Sequence, residues 1–182
     1  MKAITPQFSF FHAPISNILP QRSMNLMEVH RLITSEYKSN TDLLRFIAEP
    51  GQARAFKATH FDYVTFSGEF SRRNENDLIQ HSGLLCLDFD HLENVGYIRT
   101  LLLNEPYFET ELLFTSPSGD GLKWIIAIDT ERATHKGYFM AVSNYLKHTY
   151  RIEPDKSGKD TSRACFLCHD PEAFINPKHL LP

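Results

Sequence analysis

An unbroken apolar run from Leu84 to Leu87 continues through Asp88-Phe89 to Asp90, and it predicts a buried strand that delivers charge at its end. Ser82-Gly83 in front supplies the turn, and the pattern is that of a central strand covered on both faces. Upstream, Gln7 to His12 alternates as a first strand. Ser23 is placed to cap a helix from Met24 to about Tyr37, with Met24, Met27, Leu32 and Ile33 on its inner face. A second helix, Thr41 to Ala48, turns Leu43, Leu44 and Ile47 inward and stops at Pro50-Gly51. Phe61 to Phe70 is rich in strand formers, and the polar connection Ser71 to Asp77 joins it to the acid strand.

Beyond Asp90 the period changes from two to about 3.6. Val95, Ile98, Leu101 and Leu102 predict a helix over Asn94 to Leu103, ended by Asn104 and Pro106. Glu111 to Thr115 and Leu122 to Ile128 read as a hairpin around the turn Ser116-Pro117-Ser118-Gly119-Asp120-Gly121. A long helix from about Glu131 to Tyr150 follows, with Phe139, Val142, Tyr145 and Leu146 inward. The loop Glu153 to Arg163 then leads to a strand, Ala164 to Cys168, and Pro171 to Pro182 is a surface wrap. Strands joined in places by hairpins and in places by helices predict an α+β fold, a mixed, largely antiparallel sheet with helices packed on it. A ferredoxin-like split βαβ core is the candidate for Leu84 to Cys168.

Length and composition narrow this picture. At 182 residues, 42% hydrophobic and 23% charged, the chain is expected to be a single domain over residues 1–182. The net charge of −3 offers no basic excess for nucleic acid, so any such binding must be local. Met1 to Pro20 holds no export signal and no run approaches the roughly 18 apolar residues of a membrane span, so a cytoplasmic, membrane-free chain is expected. Cys86, Cys165 and Cys168 are expected to be reduced core thiols, because the strand around Cys165-Phe-Leu-Cys168 suits neither haem attachment nor a paired zinc site.

Candidate chemistry sits at strand ends. Asp88 and Asp90 share one strand face about 6.6 Å apart, and at an effective dielectric near 20 they repel by roughly 2.5 kcal/mol. A divalent cation offsets that repulsion; an Asp-x-Asp at a solvated strand end does so by water or by Arg and Lys partners. The second station, Ser116 to Lys123, offers glycine-turn N–H groups, hydroxyls and a cation to a triphosphate, or is simply a hairpin turn. The third, Asp155 to Arg163, adds Asp155, Asp160 and Arg163, or is a solvated charged connection. Arg72 and Arg73 read as further cations or as solvated surface.

The motifs GEFSRR (Gly68 to Arg73), HSGLLCLDFDHL (His81 to Leu92), TSPSGDGLK (Thr115 to Lys123) and DKSGKDTSRACFLCHDP (Asp155 to Pro171) occur in this order. Together they resemble the primase-like N-terminal domain found ahead of virulence-associated protein E type helicases, within the archaeo-eukaryotic primase superfamily. The similarity covers roughly residues 60–175. It implies an RRM-like catalytic core and a metal-dependent nucleotidyltransferase for primer synthesis or extension in DNA replication, in the setting of a mobile element or phage.

By this resemblance Asp88, Asp90 and Asp155 are the catalytic acids and hold Mg²⁺ or Mn²⁺, with Asp160 as a further metal candidate. Ser116, Ser118, Gly119, Lys123, Arg163, Arg72 and Arg73 form the nucleotide-binding set. Nucleoside triphosphates, a single-stranded DNA template and a fused or partner helicase are the implied partners. The chain departs from the superfamily pattern at the second motif, where a nucleotide-binding histidine is replaced by the Ser116 to Lys123 segment. That departure keeps open a non-catalytic RRM-like module that binds nucleotide or nucleic acid. A nuclease or relaxase-like initiator needs a Tyr nucleophile or paired histidines near the acids; no histidine pair at short ligand spacing appears, and His81 and His91, which flank the strand, are the nearby candidates.

Overall fold

The strand at Leu84–Phe89 forms where its apolar run predicts, but at the edge of its sheet. The structure is a computed structural model that describes residues 5–180. In chain order, β1 (Phe8–Phe11), β2 (Arg22–Met24), α1 (Leu26–Ser35), α2 (Lys38–Phe46), α3 (Pro50–His60) and β3 (Tyr63–Thr65) precede the ribbon β4 (Gly68–Phe70) and β5 (Leu78–His81). The acid strand β6 (Leu84–Phe89), α4 (Val95–Leu103), β7 (Thr110–Thr115), β8 (Leu122–Ala127) and α5 (His135–Tyr150) follow. Two short strands, β9 (Cys165–Phe166) and β10 (Phe174–Ile175), close the chain.

Two four-stranded antiparallel sheets result, in the orders β2-β1-β3-β9 and β10-β7-β8-β6. In the second, β6 and β7 are each antiparallel to β8 and therefore parallel to each other, joined through α4 with β8 inserted between them. This is the split βαβ arrangement. The strand after α5, β9, pairs with β3 of the first sheet rather than with β6. The free edge of β6 is instead met by the loop after α5, whose Asp155 N–H donates to the Asp88 carbonyl at 2.7 Å.

Alternation along β6 explains both cores. Leu85, Leu87 and Phe89 join Leu113, Trp124 and Ile126 under Ile98 and Leu102 of α4 and Phe139, Val142 and Leu146 of α5. Leu84 on the opposite face packs with Leu112, Phe114 and Ile125 against Phe8, Val64 and Phe66 of the first sheet and Leu26, Val29 and Ile33 of α1. Asp88 has the parity of Leu84 and Cys86, so it enters the layer between the two sheets.

Several sequence expectations change in the N-terminal third. Arg22–Met24 is a strand because it pairs with β1, so the helix starts later, capped by Asn25 in a capping box with Glu28 rather than by Ser23. The cap sets the buried stripe as Leu26, Val29 and Ile33. On α2, Thr41 and Leu44 face inward while Leu43 is 55% exposed. α2 ends at Phe46, ahead of Pro50-Gly51 as expected, but these two residues also open a further helix. Proline suits the first turn of a helix, and the Glu49 carboxylate accepts from the N–H groups of Gly51 at 2.8 Å and Gln52 at 2.6 Å, opening α3. The polar connection Ser71 to Asp77 ends in a 3₁₀ turn, Glu75–Asp77, and leads to the unexpected strand β5, which pairs with β4, while the C-terminal wrap contributes β10 to the second sheet with Ile175 buried. Residues 181 and 182 of that wrap lie outside the described residues. The three cysteines are free thiols. Among the described residues no helix is long and apolar enough to cross a membrane.

Candidate functional site

Cross-strand register places Lys123 of β8 directly opposite Asp88 of β6. Side chains of such a pair share a face, and the Lys123 ammonium lies against Asp88 Oδ1 and 4.0 Å from Asp90 Oδ1. An Arg163 guanidinium nitrogen stands 4.0 Å from Asp88 Oδ2. The Asp88 side chain is 14% exposed and that of Asp90 is 44% exposed, so one acid is interior and the other rims the site. Asp88 Oδ1 is buried, and the Lys123 ammonium is its close partner. Burial raises the Asp88 pKa, with Lys123 opposing that shift and Asp90 adding to it. Burial, the largest single influence, lowers that of Lys123, but the charge and hydrogen bond of Asp88 together with the neighbouring Cys165 and Asp90 outweigh it and hold the ammonium protonated.

The second station is a closed hairpin turn packed beside the acids. Ser116 N–H donates to Gly121 O at 2.8 Å and Gly119 N–H to Ser116 O at 2.9 Å. Gly119 has φ of +87°, which explains the glycine. A Cβ on Gly121 would lie 2.2 Å from the Phe89 carbonyl, so the turn touches the end of β6 backbone to backbone. The Leu92 N–H donates to Asp120 O at 2.8 Å, and His91 Nδ1 lies 2.7 Å from Asp120 Oδ2. Ser116 is buried with its hydroxyl unpartnered, whereas Ser118 is exposed. Arg45 of α2 reaches across the turn, donating through Nε to Pro117 O at 3.2 Å.

The third station lies along the free edge of β6. Asp155 Oδ1 accepts from Ser157 N–H at 2.7 Å and Ser157 Oγ–H at 2.6 Å, capping the 3₁₀ turn Lys156–Lys159. The Ser157 donors hold the Asp155 carboxyl below its usual range. Asp160 accepts from Ser162 N–H at 2.8 Å. Asp88, Asp160, His135 and Arg163 line a small pocket of about 20 Å³, enough for roughly one water. Outside it opens a cleft of about 390 Å³ edged by Arg73, Lys159, Arg163, Ser157, Ser162 and Phe166.

The structure therefore brings Asp88, Asp90, Lys123 and Arg163 to one point, with Asp155 joined through its backbone and Asp160 across the small pocket. Arg73 reaches the cleft, held by the Tyr63 hydroxyl at 3.2 Å and the Ile15 carbonyl at 3.1 Å. Arg72 is exposed and does not line it. Ser116 closes the hairpin, while Ser118 and Gly119 form its outer rim.

Three features escaped sequence reasoning. Lys57 of α3 lies 5.7 Å over the Phe166 ring, and burial together with the nearby Lys123 lowers its pKa; its helix was hidden by Pro50-Gly51. Lys159 stands between Asp155 and Arg163 in the third station and edges the cleft, with nothing in its sequence setting to set it apart from a solvated lysine. His81 and His135 are 54 residues apart, yet His81 Nε2 and His135 Nδ1 are 3.0 Å apart. No local spacing signals that pair.

Among the described residues no group of three or more His, Cys, Asp or Glu side chains is drawn together to hold a metal ion. The donor chemistry nonetheless fits a hard cation: carboxylate oxygens from β6 and the adjoining loop, one of them a buried Oδ1 now met by the Lys123 ammonium.

The split βαβ sheet, the acids at the end of β6 and the ordered motifs define an RRM-like domain of the archaeo-eukaryotic primase type. Residues 55–174 match the family described as BT4734-like, N-terminal domain, and the chain belongs to that family. No curated protein and no solved structure matches the chain.

Proposed function

We propose that the chain is a primase/polymerase-type nucleotidyltransferase that directs a 3′-hydroxyl onto the α-phosphate of a nucleoside triphosphate, with pyrophosphate leaving. The observation that carries this reading is the meeting of Asp88, Asp90, Lys123 and Arg163 at the end of β6, beside a cleft edged by Arg73 and Lys159. In this reading Asp88 and Asp90, with Asp155 or Asp160 from the adjoining loop, hold Mg²⁺ or Mn²⁺. Such an ion activates the attacking hydroxyl and neutralises charge on the leaving group. Arg163 and Lys159 orient the phosphates, and the interior position of Asp88, with space for about one water beside it, lets fixed charges there act strongly on the transferring group. Arg73 positions template or nucleotide.

With a net charge of −3, template binding is local and salt-sensitive, and a fused or partner helicase supplies most of the grip on DNA. We place the domain in the cytoplasm, in the replication of a mobile element. The pairing of Lys123 with Asp88 favours a second reading, a binding module with the same fold and no turnover. Template-dependent incorporation of dNTP or NTP with Mg²⁺ or Mn²⁺ separates the two. Incorporation that disappears in Asp88→Ala plus Asp90→Ala supports the enzyme; nucleotide binding without incorporation under either metal sinks it in favour of the module.

A further inference from the structure

The most buried cation of the chain's acid site is its own. Lys123 is 7% exposed, and its register opposite Asp88 on one side and Phe114 on the other leaves its ammonium directed at the acids. Asp88 and Asp90 contribute two negative charges there. Lys123 against Asp88, and Arg163 at 4.0 Å, contribute two positive ones. These four charges balance before any ligand arrives, and a divalent cation beside Asp88 must meet an ammonium in the same place. The Lys123 ammonium lies directly against Asp88 Oδ1, so it covers the oxygen that an incoming cation would have to reach.

We propose that Lys123 is a resident counter-cation that occupies the divalent-metal position at Asp88 and Asp90 and excludes the metal until a nucleoside triphosphate draws the ammonium away. This inference rests on the metal-site reading above and adds an order to it. Metal alone binds weakly. A triphosphate, strongly anionic, offers Lys123 a new partner and releases the two carboxylates to the ion. Lys57, half-buried over Phe166 among the same charges, adds a cation toward which the phosphates are pulled. The lysine in the place of a histidine then acts as a gate on metal loading.

The test is Mn²⁺ binding to the full chain without nucleotide, followed by the electron paramagnetic resonance of free Mn²⁺ and by the melting temperature. Wild type is expected to bind Mn²⁺ weakly and to melt at the same temperature with and without it. Lys123→Gln and Lys123→Met are expected to melt lower in buffer, to recover with Mn²⁺, and to bind the ion at least tenfold more tightly than wild type. Lys123→Arg keeps the charge and is expected to remain weak. Adding Asp88→Asn to Lys123→Gln is expected to abolish the gain, which ties it to this site. Equal, tight Mn²⁺ binding by wild type and Lys123→Gln overturns the gate and leaves the metal site standing. Absence of binding by every variant, with or without a non-hydrolysable nucleoside triphosphate, overturns the gate and the metal site together.

Discussion

The backbone N–H of Asp155 donates to the carbonyl oxygen of Asp88 at 2.7 Å, so the loop carrying the third set of acids is fastened to the strand carrying the first. The contact continues at Gly158, where a Cβ would lie 3.1 Å from the Cys86 carbonyl and 2.8 Å from the Phe139 ring. Gly158→Val is therefore expected to lift the loop from β6 and to cost about 1–3 kcal/mol through overpacking. Urea unfolding measures the stability change, and incorporation assays on the folded fraction are expected to show a loss of activity as well.

The two neighbouring acids are expected to differ in stability while agreeing in function. Removing Asp88 strands Lys123 as a buried charge, and Asp88→Ala is expected to destabilise by about 3 kcal/mol or more. Asp90 is 44% exposed, and Asp90→Ala is expected to change stability by about 0.5 kcal/mol or less. Denaturant midpoints at constant slope make the comparison. Both variants are expected to lose incorporation, because both carboxylates belong to the proposed metal site.

Acid is expected to loosen the molecule through the histidine pair. The Gly83 N–H donates to His81 Nδ1 at 3.0 Å, which leaves His81 Nε2–H to donate to His135 Nδ1 and His135 Nε2–H to donate to Gly158 O at 3.1 Å. Both rings must be neutral in that chain. Burial and the His135 ring pull His81 down to about 4, and burial lowers His135 as well. The unfolded chain takes up protons near 6.5 while the folded chain resists them, so stability is full above that pH and falls as pH drops toward about 4. After discounting for partial exposure the loss is on the order of 1 kcal/mol. Melting curves between pH 7.5 and 4.5 (roughly the window of histidine titration) check the sign. His81→Gln is expected to flatten this part of the profile.

Arg163 touches both the acid site and the outer cleft. Arg163→Ala is expected to weaken nucleoside triphosphate binding by roughly tenfold, the scale of one charge-assisted contact. Titration of a fluorescent nucleotide at low and high salt checks it. The wild-type affinity is expected to fall with salt more steeply than that of the variant.

Much of the scaffold was legible before any coordinates. The β6 strand, the hairpin of β7 and β8, and helices α4 and α5 follow from hydrophobic period and from turn residues such as Ser116 to Gly121. Those signals are local, and the elements bury one clear face. The N-terminal third resisted because its elements owe their form to distant partners. Arg22–Met24 is a strand only by pairing with β1, and β5 only by pairing with β4. Pro50-Gly51 carries the chemistry of a stop and of a helix start alike, and the Glu49 carboxylate decides between them.

Sequence alone determined that Asp88 and Asp90 stand on one face at the end of a buried strand, since a period of two leaves no other choice. Tertiary structure decided what meets them. The register that sets Lys123 against Asp88, the return of the loop after α5 that brings Arg163 and Asp155, and the pairing of His81 with His135 are set by which strands lie side by side. Hydrophobic periodicity specifies which face of an element is buried but is silent about its neighbours, so these contacts exist only once strands, helices and loops from distant positions have come together.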